Sequence, residues 1–466
     1  MSTSPSPEPR YDRVVVAGGS VAGLLAAAAL APLAREVVVL ERDDLATPAH
    51  PRPGTPQAAH SHGLLASGRL AVEKLLPGFT DELLAGGAIS RGDIGANGRW
   101  WIGGGLVTDT EVGADGVATS RRLVEETVRR RVRALPRVVL RDRCEVQSLL
   151  AGDEHTRVVG VRVLSRPSEG TATTTGLAAD LVVDATGRSA RSVRWLADQG
   201  WPQPEAERVR VGVRYATTHV ERRPGDLDGR YVSVSAAVPP VPRVGVAIAQ
   251  EDGTWTVSVC GYGEEQPPVD ADGFRRFAAG VVSPDLARLL ADRDLLHPPA
   301  TYRFPDCRRR RFERVRLPLG LAAVGDAVAS FDPTFGQGMS VAALQAVRLA
   351  RHATRGLDAV RRHYPADAAE AADRAWTIAV GADLALPGTE GERPRGHRLV
   401  SRYVARAQRV AHHDPAVART LMRVTNLLDP PSALMAPATA YRVLLHGRAR
   451  SRSRSGSTTV VGASRS

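Results

Sequence analysis

At 466 residues the chain is too long for a single hydrophobic core, so two or three domains are expected. Its net charge of +12 includes five arginines in residues 447–466, a stretch without acids, and the remainder reads as thinly spread apart from Arg308 to Arg311. Every basic residue but Lys74 is arginine, a skew closer to GC-rich codon bias than to selection for phosphate contacts; with aromatics at 5% there is little to stack on bases, so no nucleic-acid partner is expected.

Met1 to Arg10 is rich in serine and proline and is expected to be disordered; without an apolar run it does not read as a secretion signal. Arg13 to Ala17 reads as a strand buried on both faces. The turn Gly18-Gly19-Ser20-Val21-Ala22-Gly23 follows, then an Ala/Leu-rich helix from Leu24 to Leu33 with Pro32 near its end. A second apolar strand, Val37 to Leu40, closes with Glu41 and Arg42. Strand, glycine turn, helix, strand and acid in this order form a dinucleotide-binding pattern. Gly18 permits the turn, Gly23 lets the helix approach the strand, and the helix N-terminus offers free N–H groups to a pyrophosphate. Glu41 stands where an acid accepts from the adenosine ribose, and Ser20 replaces the middle glycine of the pattern.

Residues 44 to 63 form a long loop rich in proline and glycine, of the kind that carries function, and it contains Arg52, His60 and, beside its end, His62. From Ser120, the positions Val124, Val128, Val132 and Leu135 make one helical stripe. Strand-like runs follow at Val138 to Leu140 and Val158 to Leu164, and Leu181 to Val183 returns to the nucleotide sheet. Residues 208 to 263 alternate in short runs that predict an antiparallel sheet with one covered face. Leu319 to Val324 is another apolar run ending in Gly325-Asp326, an acid at the C-terminal end of a strand, where open α/β sheets bind ligands. Pro333 to Gly338 is a rigid turn containing Gly336 and Gln337, and Met339 begins a helix running to about His352. After residue 355 the chain is helical and rich in arginine and alanine, interrupted by Pro387 and Gly388; residues 447–466 are expected to be disordered. Cys144, Cys260 and Cys307 have neither metal nor redox spacing and are expected to be small buried hydrophobes. No run of about eighteen apolar residues occurs, so no transmembrane segment is expected and a cytoplasmic location is the plain reading.

The N-terminal turn, the segment Asp180-Leu-Val-Val-Asp184-Ala-Thr-Gly187-Arg188 and the Gly325-Asp326 segment together resemble the three fingerprints of the p-hydroxybenzoate-hydroxylase-like flavin monooxygenases. The resemblance covers about residues 11 to 355. It implies an α/β (α+β) architecture: a Rossmann-like FAD-binding domain of residues 11–80, 119–195 and 300–355, a substrate domain of 81–118 and 200–299 with an antiparallel sheet, and a C-terminal helical region of 356–446. It implies FAD held by Gly18 to Gly23 at the pyrophosphate, Glu41 at the ribose, Asp326 and Arg121 nearby, and backbone N–H groups of Gly336 to Met339 at the isoalloxazine. Asp184-Ala-Thr-Gly has two residues between acid and glycine where the family has an adjacent Asp-Gly pair, so no cofactor role for Asp184 is carried over. Arg52-Pro-Gly-Thr-Pro-Gln57-Ala-Ala-His60-Ser-His62-Gly63 and Val213-Arg-Tyr215-Ala-Thr217 are similar to the bacterial polyether-type epoxidases and related secondary-metabolite hydroxylases.

The activity implied is insertion of one oxygen atom from O2 into a lipophilic natural-product intermediate through a flavin C4a-hydroperoxide, as epoxidation or hydroxylation. The alternatives are a redox-neutral, FAD-scaffolded cyclase, a flavin-dependent reductase or dehydrogenase, and a non-enzymatic nucleotide-binding regulator with a basic tail. His60 and His62 are the best candidates for a site role, as donors to the flavin or to a developing anion. Arg52 is a further candidate, for a substrate carboxylate or carbonyl, and Tyr215 for the substrate cavity. No second G-x-G-x-x-G follows a strand, so NADPH or NADH would bind transiently, or a partner flavin reductase would supply electrons. Trp100-Trp101-Ile102 lacks the W-x-W-x-I-P spacing of flavin-dependent halogenases, and halogenation is not expected.

Overall fold

The computed structural model describes residues 8–45, 52–90 and 92–453, with side chains through residue 445. Tyr11–Ala17 forms the centre of a five-stranded, fully parallel sheet with the order Leu321–Ala323, Leu181–Asp184, Tyr11–Ala17, Ala34–Leu40, Val138–Arg141. Successive residues of the central strand feed opposite cores. Val14 and Val16 pack with the helices Val21–Leu30, Arg121–Arg133 and Gly338–Ala353, while Val15 and Ala17 pack toward the three-stranded sheet Cys144–Ala151, Val158–Ser165, Thr173–Ala178. The unbroken apolar runs of these strands are therefore required by burial on both faces. The first helix is shorter than its composition implies. Regular α-helix stops at Leu30, and Ala31–Leu33 tightens into a 3-10 turn around Pro32, whose ring nitrogen has no proton to donate.

The second sheet has eight strands, in the order Ala329–Ser330, Ala300–Arg310, Ala206–Glu221, Thr254–Gly261, Arg243–Ala249, Val232–Ser235, Gly98–Ile102, Gly105–Leu106. It is antiparallel except where Val232–Ser235 meets Gly98–Ile102. Two features differ from the pattern reading. The alternating stretch at Val209 is part of a sixteen-residue strand, Ala206–Glu221, bulged between Arg210 and Val213. Ala300–Arg310, grouped above with the nucleotide domain, is its partner along ten residue pairs. Its Pro305 and the following arginines hide the two-residue period.

The helices Leu357–Asp383, His397–Val410, Pro415–Thr425 and Pro437–Ser453 close one end of the molecule. The last of them runs seven residues into the stretch that composition reads as disordered; residues 1–7 and 454–466 lie outside the described residues. Cys144, Cys260 and Cys307 are free and buried. Among the described residues no helix is long and apolar enough to cross a membrane.

Candidate cofactor and substrate site

A single cavity of about 1090 Å³ runs from the N-terminal glycine turn, under the eight-stranded sheet, to the C-terminal helices. It slightly exceeds the roughly 300–1,000 Å³ of an ordinary small-molecule site, which leaves room for a dinucleotide and a second molecule. Its two ends differ in chemistry, and each is built from particular backbone constraints.

At the polar end Gly18 has φ +111°, and a Cβ there would sit 2.9 Å from the Ala185 carbonyl carbon. A Cβ on Gly23 would overlap the Gly18 carbonyl oxygen. Both glycines are thus fixed by close approach of backbone to backbone. Ser20 is tolerated because its backbone is extended; it precedes the helix Val21–Leu30 without capping it, so the first-turn N–H groups beside Val21 and Ala22 face the cavity uncapped by that side chain. Gly19 N–H donates to Glu41 Oε2 at 2.8 Å and Asp43 N–H to Glu41 Oε1 at 3.0 Å. That pair holds the carboxylate at the cavity wall, beside half-exposed Arg42.

Arg121 opens its helix next to this turn, with Nη2 3.4 Å from both Ser20 Oγ and Glu125 Oε2 and its Nε without a partner. Across the cavity Gly325-Asp326 follows the edge strand of the parallel sheet. The Asp326 carboxylate lines the cavity and makes no hydrogen bond within the described chain. Burial raises its pKa against the pull of Arg188, Arg121 and Arg310. Asp332 Oδ1 accepts from Thr334 N–H at 2.9 Å and sets the turn Pro333–Phe335; Gly336 follows in the left-handed region, φ +64°. Gln337 precedes the helix Gly338–Ala353 without capping it, and its buried Oε1 has no partner. First-turn N–H groups of Gly338 and Met339 are thereby presented to the same space.

Between these ends an extended strap, residues 60–65, is threaded under the eight-stranded sheet. His60 Nδ1 lies 2.8 Å from Thr217 Oγ1, and Ser61 Oγ is 2.8 Å from Ser258 Oγ. Gly63 packs against Gly336, and Leu65 N–H donates to Ser340 Oγ at 3.0 Å. His62 Nδ1 is 2.8 Å from the His60 carbonyl oxygen. A carbonyl only accepts, so the proton sits on Nδ1 and Nε2 carries the lone pair. Burial pushes His60 down to about 4 and, with Arg121 assisting, His62 to about 3. The expectation that His62 donates to the flavin or stabilises an anion is corrected: Nδ1 is committed to the His60 carbonyl and burial disfavours the charged ring, so Nε2 is offered as an acceptor.

Arg52 is also corrected. It does not line the cavity. Its guanidinium is buried among acids, with Nη2 2.5 Å from Glu125 Oε1 and Nη1 3.3 Å from Asp43 Oδ2 and 3.5 Å from Glu41 Oε2. Residues 52–54 turn back on the ribose end of the nucleotide pattern, with Gly54 N–H on Asp43 Oδ2 at 2.9 Å, so the arginine braces Glu41 and points away from the cavity. Asp184 is spent internally as well, accepting from Thr186 N–H and Oγ1 and from Ser192 N–H. It fixes the bend that sends Arg188 into the cavity, stacked 4.3 Å over Phe304.

The other end of the cavity is apolar, lined by Trp100, Ile102, Tyr231, Val246, Tyr302 and Phe304 among others. Tyr215 lies here, 5% exposed, edge-on to His60 at 4.6 Å, its hydroxyl making no hydrogen bond within the described chain. Lys74 is exposed on the helix Ala66–Leu75 and outside the cavity.

Pattern reading missed a buried group at the junction of the two halves. Tyr262 Oη donates to Asp332 Oδ2 at 2.6 Å, and Asp332 shares a hydrogen bond with Asp383, which has an Oδ1 without a partner. Both carboxyls are fully buried and both border the cavity. Burial raises both, and the Asp332 charge raises Asp383 further, which favours a proton held between the two carboxyls. No local signal links residues 51 positions apart in a helix and a turn.

A likeness to a known protein spans nearly the whole molecule. The chain is 33% identical to Protein Rv3254 of Mycobacterium tuberculosis over 445 residues, 92% of this chain and 91% of that one. The chain belongs to the Rv3254 family. No family model matches it. Among solved structures, it is similar to p-nitrophenol 4-monooxygenase PnpA from Pseudomonas putida DLL-E4, with a TM-score of 0.60 at 18% identity, covering 89% of this chain and 99% of that one. It is also similar to a flavoprotein/dehydrogenase from Cytophaga hutchinsonii, with a TM-score of 0.66 at 15% identity, covering 95% and 99%. The fold is that of the FAD-binding monooxygenases.

Proposed function

We propose that this chain is a FAD-dependent monooxygenase that inserts one oxygen atom into a lipophilic small molecule, with epoxidation of a natural-product intermediate as the specific reading. The observation that carries it is the single cavity joining the glycine turn, Asp326 and the Gly336–Met339 turn to an apolar chamber. The residues fit a flavin dinucleotide, because the close-approach turn at Gly18, the Asp326 carboxylate and the unpartnered Gln337 amide oxygen all face one space. FAD bound there supplies the oxygen activation.

The chain's own work is binding, orientation and exclusion of water. Gly18 to Gly23 and the following helix hold the pyrophosphate, Glu41 and Arg42 the ribose side, and Arg121 and Asp326 the segment between. The N–H groups of Gly336 to Met339 would face the ring. The strap from His60, held to the sheet through Thr217 and Ser258, would lie between a bound ring and the sheet. Tyr215 and the aromatic lining orient an apolar substrate. The electron donor proposed is NADPH or NADH binding transiently, or a partner flavin reductase.

The test is the visible spectrum of the purified protein, followed by nicotinamide addition under argon and readmission of air. Bound flavin that bleaches and recovers with oxygen uptake supports the reading. Flavin that never bleaches, even with a generic reductase present, favours a redox-neutral scaffold, and protein that neither holds nor takes up FAD overturns it.

A further inference from the structure

The net charge of this protein is not spread over it. From Arg393 onward the chain has fourteen arginines against Asp414 and Asp429, which accounts for the entire +12; residues 1–392 balance at 48 basic and 48 acidic residues. The tail beyond residue 446 holds only five of these arginines, so the thin spread read from the sequence is corrected: the rest belong mainly to the C-terminal helices.

The same segment concentrates exposed apolar side chains. Of the twelve large hydrophobic residues exposed among the described residues, six fall between residues 399 and 445: Leu399 at 70%, Val400, Met435, Tyr441 at 66%, Leu444 and Leu445. Five lie on the helices His397–Val410 and Pro437–Ser453, which pack together, and Met435 ends the turn Pro431–Met435 that leads into the second. Arg406 Nε donates to Val443 O at 2.8 Å, and Tyr403 Oη to Leu434 O at 2.6 Å. Arg398, Arg402, Arg409 and Arg442 are exposed among them. Val400 and Met435 are exposed and also line the cavity. The apolar, basic patch is therefore the rim of the cavity's apolar end.

We infer that this rim docks on an anionic lipid bilayer, with the helices His397–Val410 and Pro437–Ser453 lying in the headgroup region and the cavity opening onto the acyl chains. Apolar side chains supply insertion and the surrounding arginines attraction to anionic headgroups, and neither alone gives stable peripheral binding. The occupant is a bilayer because the patch is flanked by unbalanced positive charge. A second copy would bring the same +12 segment against itself. That a lipophilic substrate enters by this route rests on the function proposed above; the docking itself does not.

The experiment is sedimentation of the full chain with vesicles of phosphatidylcholine alone or mixed with phosphatidylglycerol, at low and high salt. The expected result is binding to the mixed vesicles only, weakened by salt, and weakened at least roughly tenfold in a Leu399→Asp/Leu444→Asp variant and when Arg448, Arg450, Arg452 and Arg454 become glutamine. Val269→Asp, at an exposed apolar residue elsewhere, leaves binding unchanged. Failure to bind either vesicle, or binding indifferent to the apolar variant, overturns the inference. So does self-association of the chain alone that the apolar variant abolishes. Flavin absorbance read in the same pellets after incubation with FAD separates the two claims: protein that sediments without flavin even then sinks the proposed function and leaves the docking standing.

Discussion

Replacing Arg52 by methionine discriminates a buried brace from a substrate-binding arginine. Arg52 and Glu125 are 4% and 3% exposed, and the cluster balances three acids, Glu41, Asp43 and Glu125, against Arg52, Arg121 and Arg129. Methionine keeps most of the volume and leaves one buried negative charge uncompensated. Breaking a buried pair by removing one partner costs about 3–5 kcal/mol, and the lower end applies because Arg121 and Arg129 remain on Glu125. About 3 kcal/mol is a large share of the roughly 5–15 kcal/mol by which domains are stable. Burial alone would raise the Glu125 carboxyl, but Arg121, Arg52 and Arg129 outweigh it and hold it below the usual carboxylate range. Its contribution to stability is therefore complete above the ordinary glutamate pKa and is lost as pH falls through the lower folded value. In Arg52→Met part of that acid-side dependence disappears. Urea unfolding followed by circular dichroism at neutral and acidic pH measures both. A loss below about 1 kcal/mol at neutral pH with unchanged m, accompanied by a defect only in substrate affinity, refutes the bracing account.

Gly23→Ala places a methyl group on the Gly18 carbonyl and is expected to abolish retention of FAD, read from the ratio of flavin to protein absorbance, while Ser20→Gly retains it. Asp383→Asn removes a carboxyl whose folded pKa lies above its unfolded one. The native protein loses stability as pH rises from the ordinary aspartate range, by up to about 1.4 kcal/mol per pH unit, and the variant has a flatter profile in thermal melts. An unchanged slope contradicts the shared proton. His62→Gln keeps an acceptor and removes a titrating ring whose folded pKa is about 3. Stability from the neutral ring is present above an ordinary histidine pKa of about 6.5 and lost as pH falls toward the folded value, so the variant is less sensitive to acid across that interval. A His62 imidazole resonance, assigned by its loss in the variant, that titrates near neutrality in an NMR series on the native protein contradicts the assigned tautomer and burial.

Local chemistry determined the nucleotide half of this molecule. A strand buried on both faces has to be continuously apolar, and a backbone that passes within contact of another backbone has to be glycine. Arg13 to Ala17, Gly18, Gly23 and the Gly325-Asp326 turn are therefore legible one segment at a time. The antiparallel sheet was legible where its faces differ, at Val209, Tyr231, Val244 and Trp255, and illegible at Ala300–Arg310, where Pro305 and an arginine run replace the alternation. The roles of Arg52, His62, Asp332 and Asp383 were decided only by the tertiary structure. Each depends on what faces it across fifty or more residues: Glu125 before Arg52, Arg121 and burial around His62, Tyr262 and Asp383 against Asp332. Charge, burial and tautomer are properties of a neighbourhood, and no run of sequence contains that neighbourhood. The same holds for the C-terminal helices, whose arginines could be counted from the sequence but whose place at the mouth of the cavity is set by packing.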